Sequence, residues 1–420
     1  MMYALCDVTS MYASVEKIYN PKLRNSGILV LSNNDGCVVA LCPIAKRLGF
    51  KKFVPYFQIE KAAKEAGIVA LSSNYELYAD VSSRMFSILE EYCDELHEYS
   101  IDEAFMAFDM PLHEKDWLQL GYDIRKAIWR EVKLPVGVGF GPTATLAKAA
   151  NHASKKLPGA TGSSVINTID ERKKILSQMA LADVWGVGSR LSKRLTDMGI
   201  KNAYALSQQP PKKMRKYFSI LLENTVRELN GERRLQWDDV RPAKKEIYST
   251  RSFGQRITDI EQLKFSLVTH CEVVARKLRD QGSLAGSAVF FAASSPHDDA
   301  PYYKRSVYHQ FTVPTADTRE VIKGAAAAIA QLYMPGVRFY KAGVGLVDLR
   351  DKNFVQGDLF NVSNDNPELM AALDSINARY GRHTMHFAGR GIEQKFAMKR
   401  RFLTPRSTTR WSEIPVIHCK

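Results

Sequence analysis

The sequence predicts an α+β chain of several domains. Its 420 residues exceed the usual size of one domain, and 45% of them are apolar, which is enough for more than one buried core. Strand and helix patterns alternate over residues 1–165, residues 170–235 are helical and almost strand-free, and residues 245–350 return to a mixed pattern. Three regions of different character favour a multidomain fold over one continuous layer structure.

The first region predicts a short strand followed by helices interleaved with further strands. Ser72-Ser73-Asn74 offers an N-cap for a long amphipathic helix that ends near Cys93, and Asn33-Asn34-Asp35-Gly36 gives a hairpin signal. The predicted strands cover residues 3–8, 28–31, 37–40 and 136–140, and the other predicted helices cover residues 11–19, 43–48, 56–66, 115–131 and 146–155.

Acidic side chains mark the ends of two apolar strands in this region. Asp102 and Glu103 lie between Leu96 and the apolar run that starts at Phe105, and Asp7 ends the first strand. Neighbouring strand side chains point to opposite faces, so the two adjacent acids converge only where the chain bends or bulges. Carboxylates gathered in this way suit Mg²⁺. A solvated acidic turn is the alternative, which Asp7 disfavours because a charge in a buried strand needs a partner.

The helical region contains Val184-Trp185-Gly186-Val187-Gly188, followed by a helix that carries Lys193 and Arg194. A helix, a Gly-x-Gly turn and a second helix have the pattern of a helix-hairpin-helix. The glycines let the backbone approach a phosphate, and the second helix presents its N-terminal N–H groups to that phosphate. Contact with a DNA backbone is favoured over a plain helix corner.

The third region has the pattern β-α-β-β-α-β, which packs two helices on one face of a four-stranded antiparallel sheet. The predicted strands carry four cations, which form either a basic face beside DNA or ordinary solvated positions. The strands cover residues 248–255, 284–294, 302–313 and 340–349, and the helices cover residues 260–280 and 318–333; the cations are Arg251, Arg256, Lys304 and Arg305.

The overall charge points to a polyanionic partner. Lys and Arg number 59 against 45 Asp and Glu, a formal net charge of +14. Nucleic acid is the leading candidate, an anionic membrane surface is the second, and a charge that serves only solubility is the third. The longest apolar run, residues 285–293, is too short to span a bilayer, so no membrane insertion is predicted.

Cysteine usage predicts a reducing, cytoplasmic environment. The six cysteines, at positions 6, 37, 42, 93, 271 and 419, form no C-x-x-C pair and no His/Cys cluster of zinc spacing. The sequence enters its first strand without a signal-peptide core.

After residue 350 the chain becomes polar, and Gln356-Gly357-Asp358-Leu359-Phe360 stands without a neighbouring apolar run. Its Leu-Phe pair either packs back onto the body or is a short linear motif for a partner's pocket. One further helix is predicted, over residues 368–378.

Taken together, these stretches resemble the Y-family translesion DNA polymerases of the UmuC type, the catalytic subunit of bacterial DNA polymerase V. The resemblance covers nearly the whole chain. The matching stretches are residues 4–8, 12–14, 32–37, 72–80, 99–105, 184–188 and 251–254.

The resemblance implies a right-hand polymerase with palm, small fingers, a helix-hairpin-helix thumb and a DNA-binding little finger, followed by a partner-binding C-terminal tail. The palm would be residues 1–20 and 75–165, the fingers 21–74, the thumb 166–240, the little finger 245–350 and the tail 351–420.

The resemblance also implies that Asp7, Asp102 and Glu103 hold two Mg²⁺ ions, with the backbone carbonyl of Val8 as a further ligand. Two metal ions would clamp the attacking and leaving oxygens of an in-line phosphoryl displacement.

Four side chains are implied to contact the incoming nucleotide. Lys46, Tyr78 and Lys155 would contact the triphosphate, although Lys156 adjoins Lys155 and either lysine could reach it. Tyr12 would be the steric gate that excludes a ribose hydroxyl. Surface salt-bridging and helix packing are the alternatives for the three triphosphate residues, and core packing is the alternative for Tyr12.

By resemblance, Gln356, Leu359 and Phe360 anchor a sliding clamp, and Gly186, Gly188, Lys193, Arg194 and Arg251 contact DNA. Primer–template and single-stranded DNA, deoxynucleoside triphosphates, a processed UmuD-type dimer and a RecA filament are the implied partners, and the nucleoid is the implied location.

The function that results is error-prone translesion DNA synthesis without proofreading, in the SOS response to DNA damage. A nucleotide cyclase on a related palm is one competing class, but it needs neither the hairpin thumb nor the basic C-terminal third. A non-catalytic DNA-binding relative that competes for clamp or recombinase is another, and such a relative would usually have lost one of the three acids.

Overall fold

The computed structural model describes residues 1–110, 113–235, 243–354, 360–381, 383–392, 396–414 and 416. The chain divides into two compact units. The first comprises the described parts of residues 1–32, 36–240 and 401–420, and the second comprises those of residues 33–35 and 241–400.

Strands of the first unit form two sheets. They are β1 Met2–Val8, β2 Ile28–Leu31, β3 Val38–Leu41, β4 Val69–Ser72, β5 Glu95–Glu98, β6 Glu103–Phe108, β7 Val136–Gly141 and β8 Ser163–Val165. Within the described residues the larger sheet has the order β5-β6-β1-β7-β8 and the smaller has the order β3-β2-β4. Strands β4 and β8 were not predicted from the sequence; both are short and pair in parallel with the distant strands β2 and β7.

Helices of the first unit agree closely with the spans predicted before residue 160, and the later ones fall in the region that was predicted only to be helical. They are α1 Met11–Tyr19, α2 Pro43–Arg47, α3 Tyr56–Glu65, α4 Tyr75–Glu90, α5 Glu114–Val132, α6 Ala144–Lys156, α7 Ile169–Gln178, α8 Ser189–Asp197, α9 Ala203–Ser207, α10 Pro211–Tyr217 and α11 Ile220–Leu229. The predicted N-cap is confirmed, because Leu77 N donates to Asn74 Oδ1 at 3.4 Å.

Helix α6 lies unusually close to strand β7, because glycine alternates along one face of that strand. A Cβ at Gly139 would meet Asn151 N at 1.9 Å, and one at Gly137 would meet Lys155 Cε at 2.3 Å. Glycine inside a strand often marks such a close approach. The polar face of α6 is thereby held directly against the centre of the sheet.

The second unit has the predicted β-α-β-β-α-β arrangement. Its elements are β9 Ile247–Ile257, α12 Ile260–Asp280, β10 Ser283–Ser294, β11 Lys304–Thr315, α13 Thr318–Leu332, β12 Phe339–Asp351 and α14 Pro367–Tyr380. The antiparallel sheet has the order β11-β10-β12-β9. Apolar residues of α12 and α13, such as Leu267 and Val321, join strand residues such as Phe290 and Val344 in one buried core.

The described cysteines are free thiols: Cys6, Cys37, Cys42, Cys93 and Cys271. Burial raises the pKa of Cys6 to about 12 and the pKa of Cys93 to about 11. Both thiols are therefore protonated at neutral pH, as expected of core residues rather than ligands.

In the part of the chain that the structure describes, no helix has both the length and the apolar content needed to cross a lipid bilayer.

Candidate active site

The acidic residues meet at the end of the central strand of the larger sheet. Asp7 on β1 lies directly opposite Glu103 on β6 and Gly137 on β7. Residues that face each other across an antiparallel pair share a face of the sheet. Asp7 and Glu103 therefore point the same way, toward α6.

Asp102 reaches the same place from a turn. Tyr99 N and Ser100 N both donate to Glu103 O, at 3.1 and 3.0 Å, and close the turn between β5 and β6. Asp102 O accepts from Val8 N at 2.9 Å, and its carboxylate accepts from Ser100 Oγ at 2.6 Å. The predicted bend is confirmed. Its hydrogen bond with Val8 holds the turn that carries Asp102 against the end of β1.

Three side chains of α6 form the opposite wall. Lys148, Asn151 and Lys155 are spaced three and four residues apart, so they share one helical face. Lys155 Nζ contacts the carboxylate of Asp7 and lies 2.9 Å from its backbone carbonyl oxygen. Asn151 Nδ2 donates to Gly137 O at 2.7 Å, which fixes the helix against β7.

Lys148 is a functional candidate that the sequence analysis missed. Its Nζ lies 2.9 Å from Glu103 Oε1 and 4.6 Å from the ring centre of Tyr99. Burial raises the pKa of Glu103, and the hydrogen bond from Lys148 opposes that shift. The seven-residue spacing of Lys148 and Lys155 was the available signal, but which strand they face depends on the packing of α6.

The carboxylate oxygens of these acids are the type of ligand that a hard divalent cation such as Mg²⁺ prefers. Within the described residues, however, no three acidic, histidine or cysteine side chains form a ligand cluster. Asp7 and Glu103 are each engaged by a lysine instead. A cation that binds Asp7 must therefore compete with the ammonium group of Lys155.

A cleft of about 660 Å³ opens beside these acids. Seven residues that were named from the sequence as site candidates line it, namely Asp7, Val8, Tyr12, Lys46, Asp102, Lys155 and its alternative Lys156. Glu103 faces Lys148 and Tyr78 is fully buried; neither is among the lining residues. The structure thus brings three of the four predicted metal ligands and three of the four predicted nucleotide contacts to one cavity.

The cleft is rich in positive charge. In addition to Asp7 and Asp102, its described lining includes five cations, which are Lys46, Lys52, Arg125, Lys155 and Lys156. Burial lowers the pKa of Lys46, and the nearby charge of Lys52 lowers it further. A polyanion bound here would relieve that repulsion, as expected of a triphosphate site.

Tyr12 forms part of the floor of this cleft. Its ring stacks on Tyr78 with centroids 4.6 Å apart, and it makes an edge contact with Tyr75 at 5.8 Å. The Tyr78 hydroxyl donates to the buried Glu16 carboxylate at 2.6 Å. One face of the Tyr12 ring therefore packs on Tyr78, while the side chain is only partly buried and lines the cavity.

The predicted DNA contacts of the first unit lie on an exposed turn and helix. Gly186 adopts φ +84°, which favours glycine, and a Cβ at Gly188 would meet nothing within 4 Å. Lys193 is exposed on α8. The Arg194 guanidinium stacks over the Phe218 ring at 4.6 Å, so Arg194 also serves packing.

The remaining predicted contacts fall outside the first unit. Arg251 is exposed on β9, whereas Arg256 pairs with Asp298 at 2.7 Å, which supports a structural role for that cation. Phe360 is 90% exposed. Gln356 and Leu359 lie outside the described residues.

Comparison with known families gives three matches along the chain. Residues 6–152 match the impB/mucB/samB family, and residues 244–359 match the C-terminal domain of that family. Residues 367–417 match a domain of unknown function, DUF4113.

Curated proteins align over nearly the full length. Protein UmuC of Salmonella typhimurium is 42% identical over 421 residues, covering 98% of this chain and 99% of that protein. DNA polymerase IV 2 of Bacillus subtilis is 28% identical over 392 residues, covering 90% of this chain and 91% of that protein.

Among solved structures, a Y-family DNA polymerase chimera superposes with a TM-score of 0.62 at 17% identity. The match covers 84% of this chain and 100% of that chain. A likeness at this identity is one of fold, and it confirms the predicted fold class.

Proposed function

The chain belongs to the impB/mucB/samB family, and from this premise we propose that it is an error-prone, template-directed DNA polymerase of the Y family that acts in translesion synthesis. The observation that carries the proposal is the single cleft lined by Asp7, Asp102 and five cations. Carboxylates beside a cationic patch are what phosphoryl transfer from a triphosphate requires. The SOS response to DNA damage is the proposed setting, in the cytoplasm at the nucleoid.

We propose the following division of the chain. The first unit carries the palm, residues 1–20 and 75–165, most of the fingers, residues 21–74, and the thumb, residues 166–240. The second unit carries the little finger, residues 245–350. Helix α8 and the preceding Gly-x-Gly turn then face the phosphate backbone of the duplex, where helix N-termini bind anions.

Asp7, Asp102 and Glu103, with the carbonyl of Val8, are the proposed ligands of two Mg²⁺ ions. When bound, such ions activate the primer 3′-hydroxyl and neutralise the triphosphate. Lys46, Lys155 and Lys156 line the cleft and bind the phosphates through their charge. Lys148 forms an ion pair with Glu103 and thereby orients its carboxylate. Tyr78 serves the nucleotide indirectly, because it supports the ring of Tyr12 from behind.

Primer extension with a labelled deoxynucleotide and Mg²⁺ tests this function directly. A template-dependent product that lengthens by one nucleotide at a time is expected, and no 3′-exonucleolytic shortening is expected when nucleotide is withheld. Tight DNA binding without any extension would instead support the non-catalytic relative. Cyclic nucleotide formed without a primer would support the cyclase.

We further propose that duplex binding rests mainly on phosphate contacts, because the net charge is +14. Log affinity should fall linearly with log salt, by roughly 0.9 for each phosphate neutralised. Replacing the exposed Lys193 with Glu should weaken binding about equally on unrelated sequences and lower the salt slope, as measured by fluorescence anisotropy. Lys126→Glu, an exposed position on α5, is the charge-matched control. A flat salt response contradicts the proposal.

Gln356, Leu359 and Phe360 are proposed to anchor the chain to a sliding clamp. The sequence pattern supports this proposal, because a Leu-Phe pair in a polar stretch is typical of a short linear motif. Burying the two apolar side chains would be worth about 2 kcal/mol each. Replacing Leu359 and Phe360 with Ala should therefore lower clamp affinity and clamp-stimulated synthesis, with clamp-free synthesis unchanged. An equal loss without clamp would assign the pair to core packing.

The other proposed partners are a processed UmuD-type dimer and a RecA filament on single-stranded DNA. The full-length similarity to a protein named UmuC supports the first of these. Extension past an abasic site, with each partner added singly, measures their contributions.

A further inference from the structure

The described part of the family-matched segment 367–417 includes a stretch that returns to the catalytic unit. We propose that this C-terminal segment, residues 401–406, is a positioning element for the tyrosine pair at the floor of the nucleotide cleft. The inference rests on the proposed function, since it takes Tyr12 to be the residue that meets the incoming sugar. It assigns a role within this chain to part of a domain of unknown function.

The segment is joined to strand β4 by two hydrogen bonds, one of which links backbone atoms only. Ser72 N donates to Phe402 O at 3.0 Å, and Phe402 N donates to Ser72 Oγ at 3.0 Å. The Phe402 ring packs edge-on against Tyr56 with centroids 6.0 Å apart. These contacts place the segment at the end of β4, immediately before the helix that carries Tyr78.

The beginning of that helix is held by the segment. Asn74 is fully buried and is the N-cap of α4. Its Nδ2 donates to Thr404 O at 3.1 Å and to Thr404 Oγ1 at 3.0 Å. One side-chain amide therefore caps α4 with its oxygen and binds the C-terminal segment with its nitrogen.

The same threonine reaches the helix that carries Tyr12. Thr404 Oγ1 donates to Glu16 Oε1 on α1 at 3.2 Å, while the Tyr78 hydroxyl donates to the same oxygen at 2.6 Å. Glu16 is only 2% exposed. Burial raises the pKa of Glu16, and the hydrogen bonds from Tyr78 and Thr404 oppose that shift.

A continuous chain of hydrogen bonds results, from Asn74 through Thr404 to Glu16 and from Glu16 to Tyr78. Tyr78 then stacks under Tyr12 at an interplanar angle of 14°. Buried polar networks favour one arrangement because each unmade bond is costly. Thr404 lies at the centre of this network and is not among the residues that line the cleft. It is therefore a positioning residue.

Replacing Thr404 with Val in the full chain removes the hydroxyl and keeps the shape. We expect the preference for deoxynucleotides over ribonucleotides, measured as the ratio of kcat/KM values, to fall by roughly three- to tenfold. Thr404→Ser should restore it. Thr409→Val, the same change at an exposed position three residues after the segment, is the matched control and should leave the ratio unchanged.

A second variant tests the other end of the hydrogen-bond network, at Tyr78. Tyr78→Phe keeps the ring under Tyr12 and removes the hydroxyl bonded to Glu16, so the ratio should fall in the same direction. A second measurement does not depend on catalysis: a fluorotyrosine at position 12 should change its ¹⁹F resonance in Thr404→Val but not in Thr409→Val.

The outcomes separate the two ideas. An unchanged ¹⁹F resonance and an unchanged ratio in Thr404→Val would overturn the positioning role, whatever the enzyme does. If the resonance shifts in Thr404→Val but the wild-type protein makes no DNA, the positioning of Tyr12 is upheld and the proposed function is refuted instead. Equal effects from Thr404→Val and Thr409→Val would reduce the segment to general packing and overturn the inference.

Discussion

Replacing Asp102 with Asn is expected to slow DNA synthesis by at least about a thousandfold, or ~4 kcal/mol of barrier, while primer–template affinity changes little. Asp102 lines the cleft, where it supplies negative charge and oxygen ligands for the proposed cations. Asparagine has nearly the same shape and can still accept the hydrogen bond from Ser100. The lower rate of DNA synthesis should therefore result from the missing negative charge and not from a folding defect.

Asp102 is a better test position than its neighbours. Asp7 and Glu103 each contact a lysine, so neutralising either acid also leaves a cation without its partner. Asp109→Asn is the matched control, because Asp109 is exposed and follows the other end of the same strand, β6. Single-turnover extension and anisotropy binding should be measured on the same preparations. Extension near the wild-type rate in Asp102→Asn would refute the assignment.

Replacing Tyr12 with Ala is expected to raise ribonucleotide incorporation relative to deoxynucleotide incorporation by about a hundredfold, or ~2.7 kcal/mol. The ring lies in the cleft that also contains Asp7 and Asp102, and its lower face rests on Tyr78. A ring held from below cannot move aside for a 2′-hydroxyl. Deoxynucleotide incorporation should stay within about tenfold, since the acids and lysines are untouched.

Tyr12→Phe is the matched control, because it keeps the ring and removes only the hydroxyl. Its sugar preference should remain close to that of the wild type. The alternative role for Tyr12 is core packing, and a fully buried aromatic would cost about 3–5 kcal/mol of stability on truncation. A large drop in melting temperature with unchanged sugar preference would place Tyr12 in the core. The partial exposure of the ring argues against that result.

Local pattern was sufficient for most of the elements. The spans of α1 and α12 were predicted to within a few residues, and the order of elements in the second unit was predicted correctly. Their apolar periodicity, N-caps and turn residues act over one or two helical turns or along one strand, so they are legible in the chain itself. The bend at Asp102 was predicted on a different ground, because two adjacent acids in a strand converge only where the chain bends.

Which acids share a face was decided only by the tertiary structure. The antiparallel register that places Asp7 opposite Glu103 joins segments nearly a hundred residues apart. Lys148 and Lys155 were visible as cations, but their contacts depend on the glycine face of β7, which draws α6 against the sheet. Asp7 and Glu103 depend on the pairing of β1 with β6, because a one-residue change of register turns a strand's side chains to the other face of the sheet.

The elements, the family resemblance and the identity of the acids could all be predicted from the sequence, because they depend on residue type and short spacing. It gave no sign that Thr404 would bond to Asn74 and Glu16, across separations of 330 and 388 residues. Such polar contacts leave no periodic pattern, since each arises when two distant segments are buried together and their donors and acceptors must be satisfied. The support beneath Tyr12 is therefore a property of the folded chain alone.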